Sequence, residues 1–219
     1  MVKGKYIVLE GMVGSGKSTQ VNLLKTFLEK RNINFVYGRE PGGVPVAERI
    51  RDVVLDPQNK DMAPLTAMYL FSAARAEYIS RFVKPAIDSG KTVITDRSFL
   101  STIAFQGHGH GLDLEVIIKN AGYAVQGYNF DLGIILDVNN IEAAMTRARK
   151  ATETVGKPDR FETEDIAFHI RVRDGYRSIP TFYPAVKLIS SFEEIGNIEE
   201  RIAKISNEIS YNVNILLDT

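Results

Sequence analysis

The run Gly11-Met12-Val13-Gly14-Ser15-Gly16-Lys17-Ser18 follows an apolar stretch and leads straight into an amphipathic helical pattern. It fits G-x-x-x-x-G-K-[ST] in the strand-to-helix context that this motif requires. The glycines let the backbone curl so that successive N–H groups converge on phosphate oxygens, and the helix that follows adds the positive end of its dipole. Residues Gly11 to Thr19 are therefore expected to cradle a nucleotide polyphosphate, with the Lys17 ammonium on the β- and γ-phosphates and the Ser18 hydroxyl on Mg²⁺. Such a cradle serves kinases, switches and motors alike, so other residues must decide the chemistry.

A strand that ends in this loop belongs in a sheet covered by helices, and the rest of the chain has that rhythm. Apolar runs at Tyr6–Leu9, Asn34–Tyr37, Thr92–Thr95, Leu132–Leu136 and Val186–Ile189 predict strands. Helical patterns are expected at Lys17–Arg31, Val46–Leu55, Leu65–Ser89, Asp113–Ala124, Ile141–Lys150, Thr163–Phe182 and Ile198–Tyr211. The charged stretch Ala151–Glu162 lacks apolar periodicity and reads as a flap or a surface loop. Tyr211–Thr219 is open between a short strand, a dimer contact and a frayed tail.

With 219 residues, 44% of them hydrophobic, the chain suits a single α/β domain. Its 27 basic and 27 acidic residues balance, so nothing in the total charge argues for nucleic acid or a membrane surface as the partner. The absence of cysteine removes disulfides and thiolate metal sites and suits a reducing cytosol. No apolar run has the length of a membrane span, so a cytoplasmic protein is expected. His108 and His110 are too poorly spaced for a rigid metal site and are assigned to a loop.

At the end of the third strand stands Asp96-Arg97, a carboxylate able to hold metal-bound water beside a guanidinium able to face a phosphate. Upstream lie Arg39-Glu40-Pro41-Gly42-Gly43 and Arg51, and further on Phe71-Ser72-Ala73-Ala74-Arg75, Ala104-Phe105-Gln106, Asp159-Arg160-Phe161-Glu162 and Arg171-Val172-Arg173-Asp174-Gly175-Tyr176. In this order and spacing, over almost the whole chain, these segments resemble the bacterial thymidylate kinases. The resemblance implies a P-loop nucleoside monophosphate kinase fold, a five-stranded parallel sheet flanked by helices, and a homodimer. The activity it implies is transfer of the γ-phosphoryl group of ATP to dTMP. It also implies roles: Phe71 stacked on thymine, Arg75 and Gln106 at its edge, and Arg39, Arg51 and Arg97 around the acceptor phosphate. Phe105 would fill the space of a ribose 2′-hydroxyl, Ser101 would line the acceptor site, and Ser18 and Asp96 would serve the metal. The helical spacing of Phe71 and Arg75 independently allows both to address one ligand.

Members of the resembled family place the transition-state arginine either in the P-loop or in a lid. Gly14 and Ser15 occupy the P-loop positions, so a mobile lid near 147–162 is expected to supply it from Arg147, Arg149 or Arg160, aided by Lys150 and Lys157. Val13 stands where most of these enzymes carry an acid that reaches the acceptor sugar. That departure predicts indifference to the 3′ substituent unless another group, Glu10 being the nearest, takes over. Two alternatives stay open at this point: a kinase for dUMP or a deoxynucleoside, and a nucleotide-binding switch without transfer activity.

Overall fold

A computed structural model describes residues 3–155, 159–191 and 197–218. Five strands, β1 (Tyr6–Gly11), β2 (Phe35–Arg39), β3 (Thr92–Asp96), β4 (Leu132–Asp137) and β5 (Val186–Ser190), form one parallel sheet in the order β2-β3-β1-β4-β5. All five expected strands are present, each running one or two residues further at its carboxyl end. The central β1 is buried along its length, and its alternation divides the core. Tyr6 and Val8 join one cluster with Met68, Tyr78, Ile79 and Leu100, while Ile7 and Leu9 join another with Val21, Leu24 and Leu28.

On that second face lie α1 (Lys17–Lys30) and α9 (Ile198–Leu217). Asn197 and Glu200 cap the latter reciprocally, and Ile205, Ile209 and Val213 repeat at helical spacing on its buried side. Arg31 then holds Asn214 and Asp218. The C-terminal residues are thus the last turns of a helix docked on α1, not a strand.

The opposite face carries α2 (Pro45–Leu55), α3 (Pro64–Tyr78), α4 (Lys84–Asp88), α5 (Phe99–Thr102), α6 (Leu114–Val125), α7 (Ile141–Val155) and α8 (Ile166–Ser178). The single helix expected over Leu65–Ser89 is interrupted by a π turn at Ile79–Val83. Pro85 has no N–H for the carbonyl four residues back, and a wider turn accommodates the gap. The helix expected over Thr163–Phe182 starts later, because the Asp165 side chain caps it by accepting from the Phe168 N–H at 2.6 Å. It ends earlier, in a 3₁₀ turn at Ile179–Thr181 that contains Pro180. A helical segment absent from the sequence reading follows Ser98, whose hydroxyl accepts from the Leu100 N–H, and widens into a π turn over Ile103–Gly109. His108 and His110 belong to that turn and its end rather than to a loop. The first faces the Ser178 hydroxyl at 3.3 Å and the second packs on the Phe168 ring at 4.7 Å.

Candidate active site

The loop between β1 and α1 has the conformation that its glycines permit. Gly16 at the helix start has φ 91°, and Gly14, at φ 68°, lies so close to α7 that a Cβ would overlap the Ala144 carbonyl. Met12 and Ser15 are buried, Val13 is half-buried, and Ser18 and Thr19 are exposed at the first turn of α1. Lys17 is buried beside the cradle, and burial, reinforced by the Arg97 charge, pulls its ammonium down to about 8 against the attraction of Asp96 and Glu10.

Asp96 ends β3 with its Oδ1 buried and without a hydrogen-bond partner among the described residues. An unmet carboxylate oxygen together with the Ser18 hydroxyl is an oxygen donor set of the kind that holds Mg²⁺ through its waters and a bound phosphate. Among the described residues no group of three or more His, Cys, Asp or Glu side chains converges into a metal cage.

Glu10, the residue before the loop, is fully buried and accepts from Ser98 N–H (2.6 Å) and O–H (2.8 Å), Ser101 O–H (2.7 Å) and Tyr176 O–H (3.0 Å). Its carboxylate therefore positions the start of α5 and does not line the acceptor pocket. Arg97 has φ 71° and donates to the carbonyl of Gly11 and to the hydroxyls of Ser101 and Tyr176 at 3.1–3.2 Å. The loop, Arg97 and α5 are thereby tied to the end of one strand.

A cavity with about 570 Å³ of empty space, partly open to solvent, lies over this region. Its walls include Val13, Arg51, Phe71, Arg75, Arg97, Ser101, Phe105 and Gln106, so most of the residues expected at the acceptor meet there. Arg75 is almost wholly buried. Its Nε donates to Glu40 at 2.7 Å, one Nη donates to the Thr102 hydroxyl at 3.2 Å, and the other Nη has no partner among the described residues. Burial raises the Glu40 carboxyl and Arg75 works against that rise. Gln106 is likewise buried, and its Nε2 has no partner among the described residues. Two donors are thus stranded in the wall of a pocket that also presents the Phe71 ring. Phe105 packs edge-on against Phe161 and Tyr176 beneath the Arg97 guanidinium.

Not every expected residue converges. Arg39 points away from the cavity and pairs with Glu48 at 2.9 Å, a half-exposed ion pair of small energetic weight. Arg160 is also turned away: it is buried, donates from Nε to the Val54 carbonyl at 2.7 Å, and covers the Phe161 ring at 4.3 Å. Its neighbours Asp159 and Phe161 line the cavity instead, and Tyr176 holds Arg97 and Glu10 beside it; the sequence reading quoted all three without assigning them. Arg147 bonds the Gly14 carbonyl, whereas Arg149 borders a small cleft with Val13 and makes no hydrogen bond or ion pair among the described residues. Lys150 is exposed on α7, and Lys157 lies outside the described residues.

A family model described as thymidylate kinase matches residues 9–202. A thymidylate kinase of Symbiobacterium thermophilum is 37% identical over 205 residues, 93% of each chain. One of Citrifermentans bemidjiense is 39% identical over 183 residues, 83% of this chain and 81% of that one. The crystal structure of thymidylate kinase from Ehrlichia chaffeensis superposes with a TM-score of 0.76 at 29% identity, covering 98% of this chain and 99% of the other.

Proposed function

The chain belongs to the thymidylate kinase family and transfers the γ-phosphoryl group of ATP to dTMP, giving dTDP, and we propose that the cavity beside Arg97 is its dTMP site and the Gly11–Thr19 loop its ATP site. The observation that carries the acceptor assignment is the pair of stranded donors, Arg75 Nη and Gln106 Nε2, in a pocket walled by Phe71. Thymine offers carbonyl acceptors at its edge and a flat face, and so meets both needs. Cytosine would turn an amino donor toward one of them and leave it stranded.

Arg51 and Arg97 face the cavity mouth and are assigned to the acceptor phosphate. Burial of Arg97 between strand ends and Tyr176 fixes its guanidinium before substrate arrives, so little reorganisation remains for the reaction itself. Phosphoryl transfer needs no covalent enzyme intermediate: it needs the two phosphates in line and their repulsion offset. Lys17 is assigned to the transferring group, and Ser18 and Asp96 would hold Mg²⁺, which when bound would supply positive charge to offset that of the phosphates. Arg149 is the lid arginine best disposed to follow, since it borders the Val13 wall and makes no hydrogen bond or ion pair among the described residues, while Arg147 and Arg160 are engaged elsewhere. The expected lid near 147–162 is helical as far as Val155, further than the flap or loop expected from Ala151, and it includes 156–158, which lie outside the described residues; closed over both nucleotides it would exclude water from the reaction.

A homodimer is proposed from the surface of α2, α3 and α6, where Val53, Leu65, Tyr69 and Val116 are exposed on neighbouring helices. Light scattering of the purified protein reports its mass directly. Among the described residues no helix is long and apolar enough to cross a membrane, and a cytoplasmic location is proposed on that basis.

The deciding experiment measures ADP release from ATP and Mg²⁺ with dTMP, dUMP, dCMP and thymidine in turn. Release that depends on dTMP and falls for dCMP and thymidine is the expected result. Release with thymidine but not dTMP would show a nucleoside kinase, and release with no acceptor at all would show a hydrolytic switch.

A further inference from the structure

Among the described residues the Arg97 side chain makes three hydrogen bonds, and all of them leave from one nitrogen, Nη1, to the Gly11 carbonyl and to the hydroxyls of Ser101 and Tyr176. The edge formed by Nε and Nη2 makes none of them and is left to the acceptor cavity that Arg97 lines. Two parallel N–H groups on that edge match two oxygens of a phosphate. Tyr176 is buried and is not part of the cavity wall. Its ring meets Phe105 edge-on, and α8, which carries it, is pressed against the π turn after α5: Arg171 Nε donates to the Gly109 carbonyl at 3.0 Å, and a Cβ on Gly175 would overlap the His108 ring. The hydroxyl therefore has a fixed place. Burial, with the Glu10 charge next, raises the Tyr176 phenol, so the oxygen keeps its single proton. That O–H donates to the Glu10 carboxylate at 3.0 Å, which leaves the oxygen's lone pairs for Arg97. Ser101 is ordered in the same way, donating to Glu10 at 2.7 Å and accepting from Arg97 at 3.1 Å.

We propose that Tyr176 is a positioning residue for the acceptor phosphate: oriented by Glu10, its hydroxyl holds Nη1 so that Arg97 meets the phosphate with its Nε–Nη2 edge. The inference rests on the cavity beside Arg97 being the dTMP site. A carboxylate bonded directly to Arg97 would compete with the phosphate for the same charge. Two neutral hydroxyls placed between Glu10 and the guanidinium fix its direction and leave that charge to the substrate. The Arg97 backbone, at φ 71°, lies in a region that an arginine occupies only where its surroundings hold it, and its N–H is bonded to the Leu9 carbonyl at 2.9 Å. Main chain and Nη1 are thus both anchored, and the free edge has one direction to take. Tyr176 contributes in this way to the choice of a phosphorylated acceptor over its nucleoside without touching either.

The test is calorimetric binding of dTMP and thymidine to the wild type, Tyr176→Phe, Arg97→Met and the double variant, with kcat and KM for dTMP in parallel. Tyr176→Phe keeps the ring and loses only the hydroxyl. It should weaken dTMP by about tenfold, the scale of one hydrogen bond to a charged group, raise KM in step, and leave thymidine unchanged. In the Arg97→Met background the same substitution should weaken dTMP no further, since its effect runs through the arginine. Ser101→Ala, which removes the other hydroxyl from Nη1, should repeat the pattern and keeps the test in force if Tyr176→Phe melts too low to assay. A loss shared equally by dTMP and thymidine, or one that persists in the Arg97→Met background, would make Tyr176 a support for the pocket wall and overturn the proposal. Unchanged dTMP binding in Tyr176→Phe would overturn it too, with the acceptor site left intact. If Arg97→Met binds dTMP as the wild type does, the phosphate does not meet Arg97, and the acceptor assignment falls together with the proposal.

Discussion

The Arg147 guanidinium closes on the Gly14 carbonyl with Nε at 3.2 Å and an Nη at 3.1 Å, so one candidate lid arginine is already bound to the phosphate loop. Two residues further along α7, Arg149 faces the cleft beside Val13 with no hydrogen bond or ion pair among the described residues. Arg149→Ala is therefore expected to lower kcat by roughly 100- to 1000-fold, with little change in the KM for dTMP. Steady-state kinetics over both substrates checks it, and an effect on KM alone would make Arg149 a binding residue.

Arg160 should behave differently. Its side chain is buried, bonded to the Val54 carbonyl and laid over Phe161, so it links the turn after α7 to the end of α2. Arg160→Ala should destabilise the protein by on the order of 2 kcal/mol, a fall in Tm of about 4–8 °C. Turnover of the fraction still folded should drop far less than in Arg149→Ala. A large kcat loss at unchanged Tm would return Arg160 to the transition state.

Lys17→Ala should abolish most turnover with the fold retained, because it removes the charge at the transferring phosphate. The pH dependence follows from the lysine being held near 8 in the free protein. Below that value it is charged and ready for phosphate. Above it the free protein has lost the proton that bound phosphate favours, so ATP affinity should weaken by up to about tenfold per pH unit. Proton uptake on binding near pH 8.5, measured by calorimetry in buffers of different ionisation enthalpy, should be present in the wild type and absent in Lys17→Met.

Phe71→Ala should raise the KM for dTMP and leave ATP affinity nearly unchanged, since the ring stands in the acceptor wall. Arg75→Ala should do the same and also cost about 3–5 kcal/mol of stability, because Glu40 is left buried without its partner. Burial already raises the Glu40 carboxyl, and losing Arg75 raises it further. A carboxyl with a raised folded-state pKa destabilises the fold when ionised and is relieved by protonation. The Tm deficit of Arg75→Ala should therefore be widest near neutral pH and narrow as pH falls toward the ordinary carboxylate range. A deficit independent of pH would show that Glu40 finds another partner.

The strands and the phosphate cradle were legible in the sequence because they rest on local patterns: alternation along β1, and glycines at positions where a side chain would not fit. Phe71 and Arg75 were legible as a pair because helical spacing puts them on one face. What the sequence did not disclose depends on contacts between distant segments. Nothing local says that Arg160 turns inward while Asp159 and Phe161 turn toward the cavity, or that Glu48 captures Arg39. The interruption at Ile79–Val83 had a local signal, Pro85, that the strong apolar periodicity of the segment masked. The buried His169 did have a signal, its helical spacing from Val172 and Tyr176 on the inward face of α8, which the sequence reading did not use.

Glu10 and Gly11 are consecutive residues of β1, one gripping Ser98, Ser101 and Tyr176 on the acceptor side and the other opening the cradle on the donor side. With the nucleotides seated as proposed, their spacing would be gauged by a single peptide unit rather than by the docking of separate bodies. Opening of the proposed lid would load and unload the site without disturbing that gauge. It also makes the molecule modular: the side chains proposed to read the base, on α3 and along the π turn after α5, could be exchanged for others while the distance from donor to acceptor is inherited intact.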